Sequence, residues 1–221
     1  HAAGEVASAV AIAALAPLDE DAPGADLLDA LRSAATSANT HLRDMVEGDP
    51  ALEGMGTTLT AILSAGSRLG LLHIGDSRAY LLRDGELNQI THDHTLVQTL
   101  IDEGRISEEE ASTHPQRSVI TRVLDGRPGL EPDLSVREVR AGDRYLLCSD
   151  GLTGPVASRD TLRDALAVLP GARVKVGFGA IEVRRRLGAV EINNLTGADR
   201  PKAEVACRRF GCPKADSWPD V

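Results

Sequence analysis

The stretch LLHIGDSRAY (residues 71–80) decides the fold class, because two apolar runs meet there at a Gly-Asp-Ser break. Short apolar runs bounded by glycine and polar turn residues are typical of buried strands. A third run, residues 57–64, precedes them, and Gly66 and Gly85 lie in the flanking turns. The order predicts a meander of short antiparallel strands, in contrast to the strand–helix alternation of a parallel sheet.

Helical patterns lie on both sides of these strands. Residues 6–15 and 26–45 carry apolar side chains at three- and four-residue spacing, which indicates two amphipathic helices. Further helices are predicted at 95–103, 107–112 and 161–169, and further strands at 135–139 and 144–148. The pattern indicates an α+β fold with two helices on one side and later helices on the other.

Composition excludes several classes of protein. A net charge of -9 over 221 residues argues against nucleic acid as a partner, since phosphate binding needs a basic surface. Three cysteines cannot build the disulfide framework of a small secreted protein. A run of about 18 apolar residues, as a membrane span requires, is absent from the sequence.

Amino-acid usage changes sharply near residue 170. All three lysines, both phenylalanines, the single tryptophan and two of the three cysteines lie in residues 170–221. We therefore expect a domain over 1–169 and a distinct tail over 170–221, which is either a small basic module or a segment from a shifted reading frame or chimeric join. The chain opens on His1 without the basic residues of a signal peptide, so we expect a helix at the start of a fragment whose upstream strands are missing.

Two carboxylates stand where apolar strands end. Asp76 follows residues 71–75, and Asp150 follows residues 145–149 and precedes Gly151. Either residue alone is an ordinary turn aspartate. If the two strand ends face one another, however, the carboxylates supply the oxygen ligands that Mn²⁺ and Mg²⁺ prefer. We expect both to share one cation neighbourhood.

Five motifs follow one another in a recognisable order. They are GMGTTLT (54–60), LLHIGDSRAY (71–80), THDHTLV (91–97), HPQRS (114–118) and LCSDGLT (147–153). Together they closely resemble the bacterial branch of the PP2C-type metal-dependent Ser/Thr protein phosphatases, in particular the actinobacterial members. The resemblance covers residues 1 to about 168. It implies a four-layer α/β/β/α sandwich of two antiparallel sheets, incomplete here, and a water activated by Mn²⁺ or Mg²⁺, two to three ions in an intact member.

The resemblance also implies roles for individual residues. Asp150 matches an aspartate that binds the core metals, and Asp76 one that helps to hold a third ion. Residues 92–125 match a flap beside the site, where Asp93 and His94 would influence substrate access. His1, next to the expected position of another metal ligand, either reaches the phosphate or a leaving oxygen as an acid, or is inert as a chain-end residue. Arg78, Ser77 and Thr57 match structural supports.

Three further interpretations concern single side chains and one motif. Cys148 is predicted to be a small buried apolar residue, and His92 and His94 to lie on the flap surface. The family's closing Asp-Asn-hydrophobic-Thr motif has only residues 193–196 as a counterpart, with an amide in place of the carboxylate. We therefore expect weakened metal binding and little activity of this chain alone.

The implied function is hydrolysis of phosphoserine and phosphothreonine in signalling proteins, opposing receptor-like Ser/Thr kinases. The alternative is a catalytically impaired phosphatase-like domain that binds kinases or phosphoproteins. The expected partners are phosphoproteins and Ser/Thr protein kinases, the expected state is a monomer, and the expected location is the cytoplasm, with a membrane anchor of the full-length parent left open.

Overall fold

The strands form two small sheets. The computed structural model describes residues 2–20, 26–154, 158–168 and 191–193. The strands are β1 Leu59–Ala65, β2 Arg68–Ile74, β3 Arg78–Arg83, β4 Glu86–Gln89, β5 Asp133–Glu138, β6 Arg144–Cys148 and β7 Glu191–Asn193. The first sheet has the order β1-β2-β5 and is antiparallel. The second has the order β4-β3-β6-β7 and is antiparallel except for the parallel pair β6–β7.

The helices lie before, between and after the strands. They are α1 Ala2–Leu15, α2 Pro17–Glu20, α3 Leu27–Gly48, the short 3-10 helix Pro50–Leu52, α4 Leu96–Asp102, α5 Glu108–Thr113, α6 Asp150–Thr153 and α7 Arg159–Val168. α3 is capped by Asp26, whose carboxylate accepts hydrogen bonds from the backbone N–H groups of Leu28 and Asp29. Its buried face is rich in alanine, and Leu31 packs directly over Gly70 of β2. A helix with small residues on its inner face can approach a sheet closely.

Alternating side chains divide the core into three layers. Along β2, Leu72 and Ile74 pack against α1 and α3, whereas Leu69 and Leu71 face the second sheet. Along β6, Tyr145 and Leu147 face the first sheet, and the intervening side chains pack against α7. Successive residues of a strand point to opposite faces, so each of these strands buries both faces. The predicted α/β/β/α order of layers is confirmed.

The predicted single meander is wrong. β1 and β2 pair with one another, but β3 joins the other sheet. Between β2 and β3 the chain crosses from one sheet to the other through Gly75, whose φ of +107° lies in the region that favours glycine. A Cβ atom on Gly75 would lie 2.4 Å from Cγ2 of Thr58. β3 pairs with β4 and β6 instead, and the inner faces of the two sheets cover one another.

The sequence patterns did not predict the short elements α2, Pro50–Leu52, β4, α6 and β7. β7 falls within the predicted tail and pairs with β6, while the other residues after Val168 lie outside the described part. The division between a domain over 1–169 and a tail over 170–221 therefore stays a prediction. In the described part of the chain, none of the helices combines the length and apolar character needed to cross a membrane.

Candidate functional site

Asp76 and Asp150 lie at the same end of the sandwich. β3 and β6 are antiparallel, with Arg78 opposite Cys148. Asp76 and Asp150 lie two positions beyond this last pair, and the Asp150 carboxylate is close enough to Asp76 to raise the pKa of that carboxyl. Asp76 lies in the crossing between the sheets, and Asp150 is the first residue of α6, directly after its capping residue Ser149. The structure therefore brings the two predicted metal ligands together.

The environment of Asp76 disfavours an uncompensated charge. Burial, the nearby Asp150 carboxylate and then Asp93 raise the pKa of Asp76 to about 6. Asp150 itself is exposed, so a cation approaching from solvent can reach the pair. Paired carboxylates with an elevated pKa are a common signature of a functional site. Their hard oxygen atoms fit Mn²⁺ or Mg²⁺.

The described residues supply only part of the ligand set that a divalent cation needs. Among the residues that the structure describes, no group of three or more His, Cys, Asp or Glu side chains is arranged to hold a metal ion. Asp76 and Asp150 thus supply two carboxylates without a third in the described ranges. His1, the other predicted site residue at this end, lies outside the described residues, and its contact with phosphate stays a prediction.

Arg78 and Asp93 form a bidentate ion pair beside Asp76. Nη2 of Arg78 lies 2.6 Å from Oδ2 of Asp93, and Nε of Arg78 lies 3.0 Å and 2.9 Å from the two carboxylate oxygens. Gln89 Nε2 donates to Asp93 Oδ1 at 2.9 Å. Asp93 is buried, and its hydrogen bonds attach the start of the 92–125 segment to β3 and β4.

Ser77 and Thr57, which the sequence predicts to be structural supports, are both buried. Ser77 is buried, and its hydroxyl lies 2.8 Å from the Thr58 hydroxyl. The backbone of Thr57 exchanges two hydrogen bonds with Leu124, which attaches the far end of the 92–125 segment to the first sheet. Their role as supports stays a prediction.

His92 and His94 have different surroundings. His92 is exposed, as predicted, and its Nε2 lies 3.1 Å from Asp102 Oδ1. The surface position expected for His94 is wrong, because its side chain is 1% exposed. Burial lowers the pKa of His94, which favours the neutral ring. A two-residue spacing places both side chains on one face only in a regular strand, and this segment is not one.

Several residues around His94 were missed by sequence reasoning. His94 Nε2 lies 3.1 Å from Asp133 Oδ2, and Arg122 donates to Asp133 Oδ1 at 2.8 Å. The His73 ring lies 4.8 Å from that of His94, centroid to centroid. Burial lowers the pKa of His73 to about 4, with the neighbouring His94 adding to the effect. A histidine in the apolar run 71–74 was the one available signal.

Cys148 is confirmed as a buried residue. It is the last residue of β6 and is fully buried against α7, and burial raises the pKa of its thiol to about 12. A thiol with such a pKa stays protonated at neutral pH and does not act as a nucleophile. The neighbouring Asp150 is therefore the functional candidate of this strand end.

A four-layer sandwich with two neighbouring carboxylates at one end of its sheets is the arrangement expected of a metal-dependent phosphatase. The comparisons identify the family within this class. The family model described as protein phosphatase 2C matches residues 2–172, and the chain belongs to this family.

Named relatives cover the same part of the chain. Over 168 residues it is 65% identical to the serine/threonine protein phosphatase PstP of Mycobacterium tuberculosis, a match that spans 76% of this chain and 32% of that protein. Over 162 residues it is 38% identical to the serine/threonine phosphatase stp of Listeria monocytogenes, spanning 71% and 64% respectively. The match thus spans about a third of the mycobacterial relative's length.

Solved structures agree with the fold. The crystal structure of Mycobacterium tuberculosis PstP/Ppp has a TM-score of 0.73 at 65% identity, covering 76% of this chain and 71% of that one. The catalytic domain of PstP in complex with two manganese ions has a TM-score of 0.70 at 62% identity, covering 76% and 70%.

Proposed function

We propose that this chain belongs to a protein Ser/Thr phosphatase that hydrolyses phosphoserine and phosphothreonine with a metal-activated water, and that Asp76 and Asp150 are two of its metal ligands. One observation carries the proposal, namely two neighbouring carboxylates that follow the ends of β2 and β6. The mycobacterial relative that holds two manganese ions supports it, because it shares the sandwich at 62% identity.

Mn²⁺ or Mg²⁺ bound at such a site lowers the pKa of its water and neutralises phosphate oxygens. The chain's own residues provide the frame for this chemistry. Asp76 and Asp150 would neutralise cation charge, and the Arg78–Asp93 pair fixes the start of β3, two residues after Asp76. Because Asp93 and His94 are buried, we propose that they influence substrate access by holding the 92–125 segment in place.

A second candidate function is a phosphatase-like domain that binds phosphoproteins or kinases without turnover. The observation in its favour is the ligand count: no group of three His, Cys, Asp or Glu side chains suited to a metal is found in the ranges described. Two carboxylates hold a divalent cation less tightly than a full set. This candidate predicts phosphopeptide binding without release of phosphate.

Two measurements distinguish an active phosphatase from a binding domain without turnover. Mn²⁺ binding is measured by calorimetry, and phosphate release from a phosphothreonine peptide is followed at millimolar Mn²⁺. We expect Asp150→Asn to weaken Mn²⁺ binding at least tenfold, an effect of removing a ligand charge. The matched control is Asp84→Asn, in the exposed turn at the opposite end of β3. Unchanged Mn²⁺ binding by Asp150→Asn would overturn the ligand assignment, and phosphopeptide binding without release would select the second candidate.

We further propose that the substrates are cytoplasmic signalling phosphoproteins and that the partners include Ser/Thr kinases, because phosphorylation of these residues requires intracellular ATP. A monomeric state is proposed as well. Light scattering on the purified chain tests the monomer, and affinity capture with a phosphorylated kinase domain, against its dephosphorylated form, tests the partner.

A further inference from the structure

Both backbone hydrogen-bonding groups of Gly75 are held by one residue. Gly75 N–H donates to Nδ1 of His94 at 3.0 Å, and the backbone N–H of His94 donates to the Gly75 carbonyl at 2.8 Å. We call this pair of bonds the His94–Gly75 clamp. The two groups belong to the peptide units on either side of the Gly75 Cα atom, so the clamp restrains both of its dihedral angles.

The clamp lies where the chain leaves β2, directly before Asp76. Ladder pairing of β2 ends at Ile74 with β1 and at His73 with β5. Gly75 comes next, with a φ of +107°, and Asp76 follows it. Glycine has more conformational freedom than other residues. The direction of the Asp76 side chain therefore depends on what restrains Gly75.

The imidazole of His94 is itself fixed on several sides. Since Nδ1 accepts from Gly75, the ring proton lies on Nε2 and is donated to Asp133 Oδ2 at 3.1 Å. Asp133 is held in turn by Arg122, from the same 92–125 segment. The His73 ring packs against His94 and is held by Thr60 Oγ1, 3.0 Å from its Nδ1. A side chain with this many contacts is pre-organised.

We propose that His94 is a positioning residue for the metal ligand Asp76, acting through the clamp on Gly75 and connecting the 92–125 segment to the candidate metal centre. The inference rests on the proposed function only in taking Asp76 as a ligand. Residues that orient metal ligands without touching the metal commonly change its affinity by 10- to 100-fold when replaced.

The test compares two substitutions at one position. In His94→Asn the side-chain Oδ1 can take the place of Nδ1 as acceptor, whereas His94→Leu keeps bulk and removes the acceptor. The control is His41→Leu, on the exposed side of α3. Hydrogen exchange of the Gly75 amide is measured in the metal-free chain, and Mn²⁺ affinity is measured separately by calorimetry.

We expect His94→Leu to reduce protection of the Gly75 amide and Mn²⁺ affinity at least tenfold each, on the order seen for lost orienting contacts. We expect His94→Asn to keep both within about threefold of the unsubstituted chain, as rescue by a conservative acceptor requires. Equal loss in both variants, or no loss in His94→Leu, would overturn the inference.

Two further readouts keep the test decisive. If His94→Leu does not fold, long-range ¹H–¹⁵N spectra of the unsubstituted chain report the tautomer of His94. A proton on Nε2 supports the clamp, and a proton on Nδ1 overturns it. If the unsubstituted chain binds no Mn²⁺, the proposed function fails, while protection of the Gly75 amide still decides whether the clamp exists.

Discussion

Arg78 and Asp93 are joined by a bidentate ion pair with a shortest distance of 2.6 Å, and the Asp93 side chain is only 7% exposed. Arg78 lies on β3 in the second sheet, and Asp93 lies fifteen residues later at the start of the 92–125 segment. Three of the four donor–acceptor contacts that hold this carboxylate come from the one guanidinium, and the fourth from Gln89. The pair thus connects the start of β3, close to Asp76, with the 92–125 segment.

Loss of this pair should destabilise the chain. We expect Asp93→Asn to lower the free energy of unfolding by about 2 kcal/mol, less than for a fully buried pair because Arg78 is 34% exposed. Urea denaturation at pH 7.5 measures it. The matched control is Asp160→Asn, which breaks the exposed pair with Arg163 and should cost less than about 0.5 kcal/mol. Equal effects of both variants would show that the Arg78–Asp93 pair contributes no more to the free energy of unfolding than an exposed ion pair.

Removing the charge of Asp76 should stabilise the metal-free chain. The carboxylate is ionised at pH 7.5 although burial and Asp150 raise its pKa to about 6, so folding carries an electrostatic penalty. Asp76→Asn should therefore raise the free energy of unfolding by about 1 kcal/mol without metal, a value reduced for solvent screening. The same variant should lose the increase in Tm that Mn²⁺ gives the unsubstituted chain. A lower Tm of the metal-free variant would contradict the predicted repulsion.

Between about pH 6.5 and 4, His73 should contribute a loss of stability as pH falls, opposed in part by protonation of Asp76. The pKa of His73 is lowered to about 4 by burial, so the unfolded chain binds a proton there in this range that the folded chain does not. Proton uptake on unfolding makes the free energy of unfolding decrease as pH falls, by about 3 kcal/mol over the range. His73→Asn should flatten the profile relative to the unsubstituted chain, whereas His41→Asn on the exposed side of α3 should leave it unchanged. Parallel profiles for all three proteins would refute the assignment to His73.

Gly75 should not tolerate a side chain. A Cβ atom there meets Thr58 Cγ2 at 2.4 Å and Thr58 Cβ at 2.6 Å, in addition to the strain of a positive φ. Gly85 has a φ of +83° with open space around it, so Gly85→Ala isolates the backbone strain, about 1 kcal/mol. We expect Gly75→Ala to cost at least about 2 kcal/mol more than Gly85→Ala, as overpacking does. Thermal unfolding of both variants measures the difference, and equal Tm values would mean that Thr58 moves aside freely.

Individual helices and strands could be predicted from the sequence because their apolar residues recur at helical or strand spacing. The apolar runs ending at Ile74 and Cys148, and the spacing of Leu27 to Leu42, specify β2, β6 and α3 with nearly correct bounds. The placement of Asp76 and Asp150 at strand ends followed from the same pattern, and the resemblance carried by the motif order predicted the four layers.

Partners far apart in sequence were decided by tertiary structure alone. The sheet that β3 joins depends on which neighbours cover its two apolar faces, and a one-dimensional pattern does not contain that choice. The burial of His94 likewise depends on contacts with Gly75, nineteen residues earlier, and with Asp133, thirty-nine residues later. By itself, the sequence determined which segments are buried and where carboxylates end strands. Only the folded chain decided which polar groups meet, since hydrogen bonds between distant residues depend on how the layers pack against one another.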